Sequence, residues 1–289
     1  MQNLAEYILF QLFSLFFRLY PGNPVKTFAP AMAYLFSDIL KIRKRVVIKN
    51  LKMAFPELSE TEIMALVRKT YLSNAKTIIE ILTLPSLSES RIKKRIKFSN
   101  TELLKKKYEE NKGVMIITAH FGNWEYAALS SGIYTGITHH VMVQSLRNTI
   151  LDNWLNRQRT MFNNKVVYTG ISVREVFGIL KSGGIVAIAG DQRGPEEGIR
   201  VNLMGIPSTI HEGIAAIALK TGAGIIMGMT VRQPDGSYIC ELQDVPTDNL
   251  PEGKTAQITE ISQRHTNVLE QYLKKYPDQY FWMHNRWKY

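Results

Sequence analysis

The stretch Val114-Met115-Ile116-Ile117-Thr118-Ala119-His120-Phe121-Gly122-Asn123-Trp124-Glu125 joins two kinds of local signal. Its first five residues form an unbroken apolar run behind Gly113, the pattern of a strand buried on both faces. From Trp124 to Tyr134 the spacing turns helical. A strand, a tight connection and a helix therefore follow one another, and the ends of strands in α/β sheets are where sites gather. His120 and Glu125 stand in or beside that connection. Five residues apart on a regular helix, they would point roughly 140° from each other. They converge only if His120 lies on the turn and Glu125 in the first helical turn, and Gly122 and Asn123 tolerate the backbone angles required. The expectation is that the Glu125 carboxylate accepts a hydrogen bond from one ring nitrogen, fixing the tautomer and leaving the other nitrogen as a base. A bare His-x4-Glu pair reads more plainly as a structural histidine beside a surface glutamate. The apolar strand before it, and the glycine and asparagine within it, shift the reading toward chemistry.

Outward from this stretch, short apolar runs alternate with helical patterns. Strands are predicted at His140–Val143, Val166–Tyr168, Ile185–Ala189 and Gly224–Val231, and helices at Ile150–Phe162, Val173–Lys181 and Glu212–Thr221. That alternation predicts an α/β fold with a mixed central sheet flanked by helices. Pro234-Asp235-Gly236 reads as a hairpin turn, so the last sheet region should be antiparallel. A long helix over Thr255–Lys275 and the aromatic, basic segment YFWMHNRWKY follow. Residues 1–98 read as a helical region without strands, and 99–289 as the α/β core. Within the first part Asn23-Pro24 forms a cap and first helical residue. Ser59 and Glu62 make a capping box for a helix running to Leu82. Pro85 stops that helix, and Ser86 with Glu89 opens a short one.

The 289 residues are 45% hydrophobic and 21% charged, a balance that excludes a disordered chain. The formal net charge of +11 favours anionic partners: an acidic protein, an anionic lipid or membrane surface, or nucleic acid. No clustered basic recognition helix or stacking-aromatic motif supports the last of these. The single cysteine, Cys240, excludes an internal disulfide and sits in an alternating, strand-like context. His139, His140, His211 and His265 show no pairing that suggests a metal. Tyr7–Phe17 (YILFQLFSLFF) is too short for a full span, which needs about 20 residues, and lacks the flanks of a signal peptide. With Lys41, Arg43, Lys44, Arg45 and Lys49 following, it predicts a membrane-interface helix over about residues 4–20, with cations for anionic headgroups.

No GxSxG elbow or convincing cysteine nucleophile accompanies His120. A histidine base without a protein nucleophile points to direct transfer, in which an acceptor hydroxyl attacks a thioester carbonyl. The string HFGNWE, residues 120–125, resembles the His-x4-Asp/Glu motif of the lysophospholipid acyltransferase superfamily and, more closely, the lipid A biosynthesis lauroyl/myristoyl acyltransferases. Arg43–Leu51 with Ala54-Phe55-Pro56-Glu57, Gly190-Asp191-Gln192-Arg193-Gly194, and Tyr280–Lys288 are similar to other segments of that family, in the same order along nearly the whole chain.

The resemblance implies an enzyme of the bacterial inner membrane facing the cytoplasm. It implies acyl carrier protein as donor, a lipid A precursor as glycolipid acceptor, and no metal or organic cofactor. Coenzyme A as donor, another membrane lipid as acceptor, and a non-catalytic module binding anionic lipid stay open. The family's catalytic pair maps to His120 and Glu125. Its arginine maps to Arg159, with Arg157 the alternative because the spacing to Asp191 drifts by one residue. Asp191, on a turn after a strand, pairs with that arginine or positions the acceptor. Asn123 and Trp124 are expected to shape the turn and wall, with Asn123 a substrate-side candidate. Trp282, His284 and Arg286 either border the site or belong to a packed C-terminus.

Overall fold

The structure is a computed structural model that describes residues 2–170 and 173–288. Five helical stretches come first. Helix α1 (Gln2–Leu19) and helix α2 (Pro24–Tyr34) lead into a π-helical turn (Leu35–Ile39), then α3 (Lys44–Ala54) and the long α4 (Glu60–Leu82). The caps are those the sequence announces. Asn23 accepts from the Lys26 N–H at the start of α2, and Ser59 and Glu62 form the reciprocal capping box of α4. Helix α5 (Glu89–Arg95) is capped by Ser88 rather than by Ser86, whose hydroxyl instead donates to the Thr83 carbonyl.

The helical region does not extend through residue 98. Strand β1 (Ile96–Ser99) runs parallel to the later strand β9 (Tyr238–Val245). Its four residues alternate apolar and polar, which is enough for an edge strand with one face covered. One apolar cluster joins Phe17, Val47 and Ile79 of the first helices to Ile117, Ile225, Ile261 and Trp287.

Helix α6 (Thr101–Glu109) precedes strand β2 (Val114–Thr118), and α7 (Trp124–Thr135), β3 (His139–Val143), α8 (Thr149–Arg159), β4 (Lys165–Tyr168), α9 (Val173–Lys181) and β5 (Ile185–Ala189) alternate after it. After a small hairpin, helix α10 (Gly213–Thr221), strand β8 (Gly224–Arg232) and strand β9 complete the sheet, and α11 (Lys254–Lys275) packs against it. The sheet has seven strands in the order β1-β9-β8-β2-β5-β3-β4. Only the β8–β9 pair is antiparallel, joined through the predicted Pro-Asp-Gly turn. Strand β2 lies between β5 and β8, parallel to both, which explains its unbroken apolar run. Cys240 is buried in β9.

The separate hairpin of β6 (Arg200–Leu203) and β7 (Ile206–Thr209) has no counterpart in the sequence reading. Its two-residue turn, Met204-Gly205, has both φ angles positive, as a twisted two-residue hairpin requires. Met at the first position hides that signal. Helix α1 lies against the body of the molecule. Its Ser14 hydroxyl donates to the Leu82 carbonyl, Glu6 accepts from Asn148, and Phe10 meets Trp154 edge-on. Leu4, Ile8, Leu12, Phe13, Phe16 and Leu19 of the same helix are exposed. Among the described residues no helix is long and apolar enough to cross a membrane.

Candidate active site

Register builds the site. Strands β2 and β5 pair in parallel with Thr118 opposite Ala189, and the Gly190 N–H continues the ladder to the Thr118 carbonyl at 2.9 Å. His120 and Asp191 each stand two residues beyond those matched ends. The two side chains meet there, with His120 Nδ1 2.8 Å from Asp191 Oδ1. The Asp191 side chain is 2% exposed and that of His120 is 24% exposed. The acid is sealed and the imidazole retains an opening.

The chain then turns sharply. Gly122 has φ +58°, and a Cβ there would lie 1.9 Å from the Thr230 carbonyl oxygen, so only glycine fits. The turn is pinned from outside. Gly122 N–H donates to the Gln279 carbonyl, Phe281 N–H donates to the His120 carbonyl, and the Thr77 hydroxyl donates to the Gly122 carbonyl. Asn123 caps α7 by accepting from the Tyr126 N–H, while its amide donates to Glu80 at 3.0 Å. Glu80, on α4, also accepts from the Tyr238 hydroxyl and pairs with Arg232. A satisfied buried network of this kind fixes the conformation of the groups it holds.

Glu125 occupies the second position of α7, and its carboxylate turns toward α8. Arg159 Nε and Nη2 donate to it at 2.8 and 2.5 Å, and Arg159 Nη1 donates to Asn156. The expected contact between Glu125 and the His120 ring is therefore replaced. Asp191 holds the imidazole and Glu125 holds the arginine. Once Asn123 caps the helix, the first turn of α7 sends Glu125 toward its neighbour helix, and the β2–β5 register has already filled the ring's Nδ1 side.

Of the two candidate arginines, Arg159 reaches Glu125, whereas Arg157 is exposed on the same helix. Asn123 is fully buried, with its side chain spent on the cap and on Glu80, and so does not face a substrate.

Aromatic rings wall the imidazole. The Trp124 ring meets it edge-on at 5.0 Å between centroids, and Phe281 lies 6.3 Å away. Phe281 is the C-terminal residue that borders the site; Trp282 and Arg286 are buried, with Arg286 donating to the Thr209 carbonyl. His284 Nε2 accepts from the Arg193 N–H and so supports the segment that carries Asp191. Phe281, Glu80, Thr77 and Arg232 are absent from the sequence-derived site. Their roles arise from contacts between distant segments that no local spacing reports.

The electrostatics follow from this arrangement. Burial alone would push the His120 pKa down, but the charge and hydrogen bond of Asp191, aided by the charge of Glu125, outweigh it and raise the value above 6.5. For Asp191, burial works upward, and the His120 ring and backbone donors more than offset it, so its carboxyl stays below the usual range. Arg159 is raised above its ordinary value, the Glu125 carboxylate outweighing desolvation. With Nδ1 committed to Asp191, no described protein group bonds to Nε2. Among the described residues no group of three or more His, Cys, Asp or Glu side chains is arranged to hold a metal ion.

The structure thus sets a strand-end histidine with a buried acid partner at the C-terminal edge of a mixed sheet in an α/β fold. The chain belongs to the bacterial lipid A biosynthesis acyltransferase family, whose model matches residues 3–289. Curated relatives extend over most of the chain. The lipid A biosynthesis palmitoleoyltransferase of Escherichia coli (strain K12) is 25% identical over 260 residues, covering 86% of this chain and 80% of the relative. The lipid A biosynthesis lauroyltransferase of the same organism is 25% identical over 251 residues, with the same coverage. A lipid A biosynthesis acyltransferase of Haemophilus influenzae is 26% identical over 263 residues, covering 88% of this chain and 81% of the relative.

Proposed function

We propose that this protein transfers a fatty acyl chain from an acyl carrier protein thioester to a hydroxyl of a lipid A precursor, at the cytoplasmic face of a bacterial inner membrane. The observation that carries the reading is the pairing of His120 Nδ1 with Asp191, which leaves Nε2 unpartnered beside an aromatic wall. Family membership supplies the acyl-transfer chemistry and the class of acceptor.

In this reaction the acceptor hydroxyl attacks the thioester carbonyl as His120 Nε2 removes its proton. The imidazolium that forms donates its Nδ1–H to Asp191, whose charge stabilises it without taking the proton. Collapse of the tetrahedral intermediate breaks the carbon–sulfur bond, and the Nε2 proton passes to the leaving thiolate. No acyl-enzyme is required. Glu125 and Arg159 neutralise one another and form a rigid polar wall, and the Glu125 charge adds to the potential that stabilises imidazolium. Helix α1 lies in the membrane interface with its exposed face in the acyl region, and the basic residues after it meet anionic headgroups.

The test incubates the full-length protein in mixed micelles with a phosphorylated glucosamine disaccharide lipid and acyl thioesters, followed by mass spectrometry. The account predicts a product heavier by one acyl group, faster with acyl carrier protein than with coenzyme A, and lost in His120→Ala with membrane binding intact. An unchanged rate in His120→Ala removes the histidine from the chemistry. Faster reaction from coenzyme A corrects the donor alone.

A further inference from the structure

A recess of about 510 Å³ lies beside the active-site turn, lined by α4, the β8–β9 hairpin and the segment after α11. That volume is in the range of ligand pockets, roughly 300–1,000 Å³. It is separate from the His120–Asp191 pair yet shares its scaffold. Gln279, on its wall, accepts the Gly122 N–H through its carbonyl and exchanges side-chain hydrogen bonds with the Arg232 backbone. The residues that follow Gln279 pair with Phe121 and His120.

Its lining has a definite chemistry. Lys69, Ser73 and Lys76 project from one face of α4, four and then three residues apart. Arg232 closes the inner side, and its guanidinium is already satisfied by Ser73, Thr77, Tyr238 and Glu80. Lys69 and Lys76 are not. Neither ammonium has a hydrogen-bond or ion-pair partner among the described residues; Lys69 is exposed at the rim and Lys76 is partly buried. Desolvation, followed by the nearby Arg232 charge, draws the Lys76 pKa down, against the smaller opposing pull of Glu80 and Asp278. A cation in that position is short of an anion. The remaining wall offers the Asp278 carboxylate and the side-chain oxygen of Gln233, whose amide nitrogen donates to the Val231 carbonyl; both are acceptors suited to sugar hydroxyls.

We propose that this recess is a subsite for a phosphorylated sugar, with Lys69 and Lys76 holding the phosphate and Asp278 and Gln233 the sugar hydroxyls. The site would seat the headgroup of the acceptor lipid while another part of the same molecule reaches His120. That last step rests on the acyl-transfer reading; binding of the phosphosugar does not.

The probes are glucosamine 1-phosphate, glucosamine and inorganic phosphate, titrated separately into the full-length protein, with binding followed by calorimetry and, for the phosphates, by ³¹P NMR. Glucosamine 1-phosphate should bind, glucosamine should not, and inorganic phosphate should bind about tenfold or more weakly, having lost the sugar contacts. Lys69→Gln/Lys76→Gln should weaken glucosamine 1-phosphate binding about tenfold or more, since charge-assisted hydrogen bonds are lost, with an unchanged melting temperature. His120→Ala should bind it as the parent does. In acyl transfer the double lysine variant should raise KM for the glycolipid at least tenfold and change kcat less than threefold. Inorganic phosphate binding as tightly as the sugar phosphate makes the recess a free-phosphate site and overturns the sugar assignment. Glucosamine 1-phosphate binding that survives the lysine substitutions overturns the location. Tight, lysine-dependent binding with no KM effect overturns the acceptor role alone and leaves the acyl-transfer chemistry untouched.

Discussion

Replacing Asp191 by Asn removes one charge from the buried partner of His120 and changes little else in shape. The Asp191 carboxylate lies 2.8 Å from Nδ1 and is almost fully enclosed. With charge centres about 4 Å apart and an effective dielectric of about 20, its attraction for an imidazolium is about 4 kcal/mol. Imidazolium exists in the transition state and not in the resting base, so this difference falls on kcat and corresponds to about 10³-fold. The amide adds a second fault. It can donate to Nδ1, which places the remaining ring proton on Nε2, where the base lone pair is needed.

The pH profile supplies an independent sign. Asp191 raises the His120 pKa, so in the parent the neutral base is lost as pH falls through a value above 6.5. Without the charge, burial dominates and the acid limb of kcat/KM should move to lower pH. The assay is initial-rate acyl transfer by mass spectrometry across pH 5 to 9, with thermal melts to show that the fold persists. A variant within tenfold of the parent rate and with an unmoved acid limb would refute the claim that Asp191 is the orienting acid.

Glu125→Gln should act mainly through stability. It removes the carboxylate opposite Arg159 and leaves the mostly buried guanidinium with neutral hydrogen-bond partners such as Asn156, a loss of about 3 kcal/mol; urea unfolding measures it, and a shift under 1 kcal/mol contradicts the pairing. Gly122→Ala should give a poorly folded or inactive protein, because its methyl group meets the Thr230 carbonyl; a soluble variant of full activity and unchanged melting temperature would show that the turn relaxes freely. His139 and His265 are buried neutral, each with a pKa pushed down to about 4 by desolvation. The unfolded chain binds protons from pH 6.5 downward while the folded chain resists, so stability should fall by about 1.5 kcal/mol for each histidine between pH 6.5 and pH 5. Flat urea midpoints over that interval would count against it. Leu12→Asp with Phe13→Asp on the exposed face of α1 should sharply reduce co-sedimentation with anionic vesicles without lowering the melting temperature. Equal sedimentation would place the membrane contact elsewhere.

The α/β alternation, the β2 turn, the hairpin at Pro234-Asp235-Gly236 and the caps at Asn23 and Ser59 were legible because each is written in adjacent residues. The exchange of partners between the two acids was not. Spacing suggested that Glu125 meets His120, but spacing within one segment says nothing of a neighbour strand's register. The clue lay in two places at once, since Thr118 and Ala189 both end apolar runs and His120 and Asp191 both stand two residues further on. Strand β1 escaped notice because four residues with two polar ones form a weak pattern, and β6–β7 because Met204 stands where a turn glycine or asparagine is usual. Phe281 and Glu80 reach the site from about 160 residues downstream and 40 upstream of His120, distances at which only tertiary packing speaks.

The tautomer and pKa of His120 test the account most directly, by ¹⁵N NMR of histidine-labelled protein titrated from pH 5 to 9, with His120→Gln to assign the resonance. Asp191 pairing predicts a neutral ring protonated at Nδ1 with a bare Nε2, charging at a pH above 6.5. A ring carrying its proton on Nε2, or one that stays neutral to well below pH 6, would contradict it.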